Sequence, residues 1–131
     1  MYKRQGLALA VQKPVFFLDV ETDKLTDISG ERLRAQRIRL AHIEKAKSCS
    51  NFGIIVSTKP GQQAIKSAEK IKKKLDNAGK NSWILVADEI TPEKLLGLRI
   101  DCLVDCACPR IADDSQYFKK PILRPEDIDE L

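Results

Sequence analysis

The stretch that decides the fold runs from Phe52-Gly53-Ile54-Ile55-Val56 through Ser57-Thr58-Lys59-Pro60-Gly61-Gln62 into a helical segment. Its first five residues are a short apolar, β-rich run, which predicts a buried strand. The apolar residues that follow recur at helical spacing: Ala64, Ile65, Ala68, Ile71, Leu75 and Ala78. Gly79 is then expected to end the helix, because glycine readily adopts the left-handed backbone conformation found at helix C-termini. The segment predicts a strand, a loop and a helix, in that order.

Similar runs elsewhere complete a sheet. Residues 14–19 predict a first strand, 52–56 a second, 83–87 a third and 100–104 a fourth, and a short strand at 24–27 is compatible with the pattern. Between them lie helical segments, so the prediction is a layered α/β fold with a mainly parallel four-stranded sheet flanked by helices.

Two further helices and the tail complete the organisation. Residues 31–48 lack glycine and proline and predict a long, highly charged helix that suits a connector. Thr91-Pro92-Glu93 offers an N-cap, a proline at the first helical position and an acidic first turn, which predicts a short helix ending near Gly97. Residues 121–127 predict an extended segment that packs back on the domain.

Parallel strands joined by right-handed crossovers place the loops after 52–56 and 100–104 at the same edge of the sheet, where open α/β sheets bind ligands. One loop is the 57–62 segment, with hydroxyls, a cation and a glycine before a helix N-terminus. An anion-binding loop and an ordinary capped turn both fit this segment. The other loop contains Cys106-Ala107-Cys108-Pro109-Arg110.

Composition excludes several classes of protein. The chain has 131 residues, enough for one domain, and its 43% hydrophobic and 32% charged residues indicate a folded protein rather than a disordered one. No apolar run approaches the roughly 20 residues of a membrane span, and no signal-peptide cleavage pattern follows the basic start, so we expect a cytoplasmic protein without membrane association. The net charge of +4 is explained by solvated helix faces, and we expect no direct contact with nucleic acid.

Three of the four cysteines crowd into residues 102–108, which favours metal or reactive chemistry over a disulfide framework. Paired Cys-x-x-Cys spacing is absent, so an internal zinc site is not expected. Burial in the core is the alternative for each thiol, and it fits Cys49, Cys102 and Cys106 better than Cys108. Cys108 precedes Pro109 and Arg110, which suit a ligand loop better than a core. The sole histidine, His42, is expected at a surface or an interface. Asp113 and Asp114 are expected to lie in a solvated turn and not to bind a metal.

Two motifs carry a resemblance that covers the chain from Gly6 to about Glu126. They are Val56-Ser57-Thr58-Lys59-Pro60-Gly61-Gln62 and Ala107-Cys108-Pro109-Arg110-Ile111-Ala112-Asp113-Asp114, followed by Lys120-Pro121-Ile122-Leu123 and Pro125-Glu126. Together they resemble the C-terminal domain of the archaeal diphthamide biosynthesis enzymes.

The resemblance implies an atypical radical S-adenosylmethionine enzyme whose three α/β domains each donate one cysteine to a 4Fe-4S cluster, with Cys108 matching the third-domain ligand. In that family the reduced cluster cleaves the bond between sulfur and the methionine γ-carbon of S-adenosylmethionine. The 3-amino-3-carboxypropyl radical is then added to a histidine of translation elongation factor 2. A homodimer is implied for the full-length protein. We expect Arg110 and five residues of the first loop to contact the substrate or the surroundings of the cluster. The five loop residues are Ser57, Thr58, Lys59, Gly61 and Gln62.

By this resemblance we expect the chain to lack the first domain and most or all of the second, with their cysteines. We therefore expect residues 1–30 to be the tail of the preceding domain, residues 31–131 to be the C-terminal domain with one cluster cysteine, and the chain alone to be inactive. Cys102 and Cys106 are then incidental, with Cys106 an alternative ligand if the register differs. Two other functions stay open: a noncatalytic partner subunit or binding module with the same fold, and a nucleotide-binding regulatory domain that uses the 57–62 loop.

Overall fold

The structure, a computed structural model, describes residues 11, 13–58, 64–107, 111 and 115–131. They fall into two compact units, one comprising the described residues up to Leu40 and the other Ala41–Leu131. Within the described ranges, no helix has both the length and the apolar character needed to cross a membrane.

The first unit contains a β-hairpin and the start of a long helix. Strand β1 (Phe16–Asp19) pairs antiparallel with β2 (Lys24–Asp27), and helix α1 (Ser29–Lys47) follows after one residue. The backbone N–H of Ser29 donates to the Asp27 carboxylate at 2.8 Å, which satisfies one of the free amides at the start of the helix. Short-range polar contacts thus fix where α1 begins.

The second unit is built on four parallel strands. These are β3 (Asn51–Ser57), β4 (Asn81–Ala87), β5 (Cys102–Asp105) and β6 (Ile122–Leu123), in the spatial order β4-β3-β5-β6. Helix α2 (Ala64–Asn77) joins β3 to β4. Every residue of β5 and nearly every residue of β3 is buried, as expected for parallel strands covered on both faces.

Alternate residues of β3 point into two separate cores. Phe52, Ile54 and Val56 pack with α2 and with the end of α1, whereas Ile55 packs on the opposite face with a cluster that includes Leu95. Each fully buried aliphatic side chain contributes roughly 1.5–3 kcal/mol. The two cores fix the register of β3 because a shift by one residue would exchange its faces.

Helix α2 ends in a Schellman motif. Gly79 has φ of +73°, its N–H donates to Asp76 O at 3.1 Å, and the N–H of Lys80 donates to Leu75 O at 3.0 Å. The predicted glycine stop is therefore confirmed. The remaining elements are short: a 3₁₀ turn at Glu93–Leu95, helix α3 (Ser115–Phe118) and a 3₁₀ segment at Pro125–Glu130.

The predicted fold class is confirmed, but three elements differ. In the tail, the extended segment predicted at 121–127 is a strand only at Ile122–Leu123 and is followed by the 3₁₀ segment at Pro125–Glu130. The strand predicted at residues 14–19 exists as β1 but belongs to the hairpin, and the fourth place in the sheet is taken by β6 from the tail. The helix predicted to end near Gly97 is a single 3₁₀ turn in which Pro92 occupies the N-cap position without a side-chain capping bond. Only Leu95 of that turn is buried, too little apolar contact to stabilise a longer helix.

Candidate functional site

The carboxyl ends of β3 and β5 lie side by side. The two strands are hydrogen-bonded neighbours, with Ile55 opposite Asp105, so their ends are separated by about one strand spacing, roughly 4.8 Å. The N–H of Cys106 donates to Ile55 O at 3.0 Å and continues the pairing one residue beyond β5. The predicted convergence of the two loops is confirmed for the residues from which they start.

Asp105 shapes the backbone that leads towards Cys108. Its side chain is buried, with 6% of its surface exposed, and its Oδ1 accepts the N–H of Ala107 at 2.9 Å. A carboxylate that accepts an amide two residues later is an Asx turn, which redirects the chain as it leaves a strand. Sequence reasoning assigned Asp105 no role, although an aspartate at the end of an apolar run is the signal for such a turn.

The start of the first loop is also attached to the sheet. The N–H of Thr58 donates to Ala87 O at 3.4 Å, so the chain leaving β3 stays beside β4. Ser57 is half-buried and Thr58 is exposed. The other proposed site residues lie outside the described residues: Lys59, Gly61, Gln62, Cys108 and Arg110. Asp113 and Asp114 lie outside them as well.

The three described cysteines are engaged in packing. Cys106 is half-buried against the core that includes Ile54, and burial, with a further contribution from Asp105, raises the pKa of its thiol to about 11. Cys102 is fully buried in the same core, and burial raises its pKa far above the ordinary value. Burial also raises the pKa of the Cys49 thiol. All three therefore stay protonated at neutral pH, as structural thiols do.

His42 lies against the edge strand. Its Nδ1 is 3.2 Å from the carbonyl oxygen and 3.4 Å from the amide nitrogen of Ile122, so the ring meets backbone groups of β6 whichever tautomer it adopts. The half-buried imidazole thus contacts backbone groups of β6, the last strand of the sheet. The expected surface or interface role agrees with this position.

Within the described ranges, no three side chains of His, Cys, Asp or Glu come together in a way that could hold a metal ion. The carboxyl edge of the sheet is where the two loops start. At this edge the described part of the chain contributes a rigid strand end and a defined turn, and the cysteine next along the chain is Cys108.

Comparison with known proteins identifies the family. Residues 2–129 match the model of the family described as "diphthamide synthesis protein". The chain belongs to the diphthamide synthesis protein family. Among the relatives of this family, the 2-(3-amino-3-carboxypropyl)histidine synthase of Pyrococcus horikoshii is 36% identical over 127 residues, which cover 96% of this chain and 36% of the relative. The synthase of Methanocaldococcus jannaschii is 32% identical over 126 residues, covering 93% of this chain and 37% of the relative.

The similarity extends to three-dimensional structure. The crystal structure of Dph2 from Pyrococcus horikoshii with a 4Fe-4S cluster matches with a TM-score of 0.84 and 33% sequence identity, over 98% of this chain and 37% of that chain. The chain thus spans a little over a third of the length of these family members. Its α/β architecture, with the parallel four-stranded sheet, is that of the family.

Proposed function

We propose that this chain is the C-terminal part of a radical S-adenosylmethionine 3-amino-3-carboxypropyltransferase that modifies a histidine of translation elongation factor 2, the first step of diphthamide synthesis. One observation carries the proposal: nearly the whole chain matches synthases that make 2-(3-amino-3-carboxypropyl)histidine, in sequence and in structure. The product in their name is a histidine that has received a 3-amino-3-carboxypropyl group. A cytoplasmic location fits this substrate.

The chain's own chemistry is compatible with a single ligand to a 4Fe-4S cluster. Such clusters are held by cysteine thiolates, whereas Cys102 belongs to the buried core and Cys49 and Cys106 pack against it. Cys108 is our candidate ligand, three residues beyond the buried Asp105 at the edge where α/β sheets bind ligands. When bound, the cluster supplies the electron that starts the cleavage of S-adenosylmethionine.

The other residues have positioning roles in this proposal. Asp105 directs the backbone that leads to Cys108 through its bond to Ala107, and the hydrogen bond from Cys106 to Ile55 ties the start of that loop to β3. Ser57, Thr58, Lys59, Gly61, Gln62 and Arg110 are the proposed contacts to the substrate or to the cluster's surroundings. Because such elements are already in place, no free energy of reorganisation is needed when the reaction occurs.

The chain alone would lack two of the three cluster ligands and is expected to be inactive. The missing ligands would come from polypeptide that corresponds to the remaining, roughly two-thirds, length of the relatives. We propose that the complete assembly is a homodimer, as the resemblance implies.

The test is group transfer. This chain is coexpressed without oxygen with the part of the Pyrococcus horikoshii synthase that it does not match, reduced, and supplied with carboxyl-labelled S-adenosylmethionine and elongation factor 2. Label should reach the factor with the assembled protein and not with the chain alone. The intact Pyrococcus horikoshii synthase, tested in the same assay, is the positive control. If the assembly binds elongation factor 2 but transfers no label, while the intact synthase transfers it, the chain is a noncatalytic binding module instead.

A further inference from the structure

Strand β4 forms one edge of the parallel sheet. It comes first in the spatial order β4-β3-β5-β6, and within the described ranges β3 is its only neighbour in the sheet. The N–H of Asn81, the first residue of β4, donates to Ser50 O at 2.9 Å, so the backbone of this residue faces β3. Backbone direction alternates along a strand, and every second residue of β4 therefore faces away from β3. The outward-facing residues are Ser82, Ile84 and Val86.

The outward backbone groups are accessible to a further strand. The Ser82 carbonyl oxygen accepts a hydrogen bond from Lys72 Nζ at 2.8 Å, which agrees with its outward direction and leaves its second lone pair available. Within the described ranges, no hydrogen bond joins the backbone of Ile84 or Val86 to a group outside the sheet. A row of such groups at a sheet edge pairs readily with another strand.

The side chains of β4 do not protect this edge. Natural proteins commonly place charged residues or proline on edge strands to prevent pairing, but the seven residues Asn81–Ala87 include neither. Instead, two large apolar side chains are about half exposed, Trp83 at 48% and Val86 at 55%. They lie on opposite faces of the strand because their positions differ by an odd number. The edge therefore offers apolar contacts on both faces to a strand that pairs with it.

The charges that flank β4 favour a second copy of this chain as the partner. Lys80 precedes the strand and Asp88 follows it. The Lys80 ammonium donates to the carbonyl oxygens of Lys47 and Cys49, which leave its charge uncompensated, and Asp88 is exposed. In an antiparallel pairing centred on Ile84, each copy's lysine lies opposite the other copy's aspartate. Opposite charges at facing positions stabilise a strand pair, so β4 is complementary to itself in this register.

The backbone and the apolar side chains fit the same register. Ile84 lies opposite Ile84 of the second copy, and Ser82 lies opposite Val86 of the second copy. All of these residues face outward, so they form mutually hydrogen-bonded pairs. Trp83 then lies opposite Leu85 of the second copy, at a position without direct hydrogen bonds where facing side chains approach more closely. The pairing thus covers both exposed apolar side chains of the edge.

We propose that two copies of this chain associate by antiparallel pairing of their β4 strands about a two-fold axis at Ile84. A two-fold axis brings the same patch of both copies together, as the self-complementary register requires. The two four-stranded sheets then form one continuous sheet. For its biological role the contact rests on the homodimer of the proposed function. Association itself needs neither cluster nor substrate, so its failure is distinguishable from a failure of group transfer.

Sedimentation velocity of the full chain at rising concentration tests the association, and amide hydrogen exchange tests its location. A dimer should form, and the amides of Ile84 and Val86 should exchange more slowly as it forms. Val86→Lys places a charge on the edge and should raise the dimer dissociation constant about tenfold or more. Leu96→Lys is the matched control, because Leu96 is an exposed apolar residue outside β4, and it should leave the dissociation constant unchanged.

Exchange of the flanking charges tests the antiparallel register. Asp88→Lys and Lys80→Glu each place like charges opposite each other in their own dimer, so each variant alone should dimerise more weakly than the wild type. An equal mixture of the two variants restores opposite charges at both ends of the strand pair and should form a heterodimer as tight as the wild-type dimer. Circular dichroism of each variant confirms that folded proteins are compared.

Three results overturn the proposal. The first is a wild-type chain that stays monomeric at every concentration. The second is a dimer that Val86→Lys and Leu96→Lys weaken equally, or one that the mixture of charge variants does not restore. The third is protection of the Ile84 and Val86 amides only after coexpression with the unmatched part of the Pyrococcus horikoshii synthase, which would assign the edge to that polypeptide.

Discussion

Replacing Asp105 with alanine should destabilise the turn that leads to Cys108. The buried carboxylate accepts the Ala107 N–H at 2.9 Å, and hydrogen bonds to charged groups contribute about 1.5–3 kcal/mol. Removing the acceptor also leaves a partly buried N–H without its partner, while relief from burying a charge offsets part of the loss. We expect Asp105→Ala to lower the free energy of unfolding by about 2 kcal/mol.

Urea unfolding followed by far-ultraviolet circular dichroism measures this change, with an unchanged slope showing that the surface exposed on unfolding is the same. Asp105→Asn keeps an oxygen in the accepting position and should lose about half as much. Asp88→Ala is the matched control, because Asp88 follows β4 at the same edge of the sheet and is exposed. A loss below about 0.5 kcal/mol for Asp105→Ala, or an equal loss for Asp88→Ala, would refute the role of Asp105.

Three further perturbations test the fold. An added Cβ meets nothing within 4 Å at either Gly79 or Gly30, but Gly79 has φ of +73° and Gly30 lies within helix α1 without a positive φ. Gly79→Ala should therefore cost about 1 kcal/mol in urea unfolding and Gly30→Ala should not destabilise the protein; equal costs would contradict the Schellman stop. Leu103→Ala, at a fully buried position of β5, should cost about 2–5 kcal/mol and Leu103→Met under about 1.5 kcal/mol, and a smaller loss for alanine would show a loose core. A hydrogen bond from the Ser82 hydroxyl lowers the pKa of Asp76 below its ordinary value of 3.8, and Lys72 makes the second largest contribution. The stabilisation from this carboxylate is therefore present above pH 3.8 and is lost as the pH falls through the lowered pKa of the folded state. Ser82→Ala should raise the pKa of Asp76 in a carboxyl NMR titration, and an unchanged titration would exclude this hydrogen bond.

The strands of the sheet could be predicted from the sequence where the apolar runs were long enough to form buried strands. The predicted strand at 52–56 is the centre of β3 (Asn51–Ser57), and the predicted strand at 83–87 is the end of β4 (Asn81–Ala87). Helix α2 was found from its spacing, since three of its apolar positions, Ala68, Ile71 and Leu75, face the core. Residues that face the core must recur with the period of the helix or strand, so the apolar pattern of the sequence predicts the element.

The elements that differ are those set by tertiary contacts. Strand β6 has only two residues, Ile122 and Leu123, too few to show a period, and it becomes a strand because β5 offers a free edge. Helix α1 was predicted as a long, charged helix from its lack of glycine and proline, and of its residues only Ile43 and Ala46, near its C-terminal end, are buried. Local spacing could not reveal which end of the helix meets a core.

The candidate site was predictable only in outline. The order of strands implied that the loops after β3 and β5 start at one edge, and their ladder register bears this out. The bond from Asp105 to Ala107 and the packing of the Cys106 thiol depend on side-chain direction, which a single sequence does not specify. The domain boundary at residue 30 and the ligand role of Cys108 stay predictions.

The central claim is that Cys108 supplies one ligand to a shared 4Fe-4S cluster, and iron and sulfide content of the assembled protein tests it most directly. The wild type, Cys108→Ala and Cys106→Ala are each coexpressed without oxygen with the unmatched part of the Pyrococcus horikoshii synthase and purified as folded assemblies. We expect a cluster with its visible absorbance in the wild type and in Cys106→Ala, and its loss in Cys108→Ala. A full cluster in Cys108→Ala, or its loss in Cys106→Ala alone, would contradict the account.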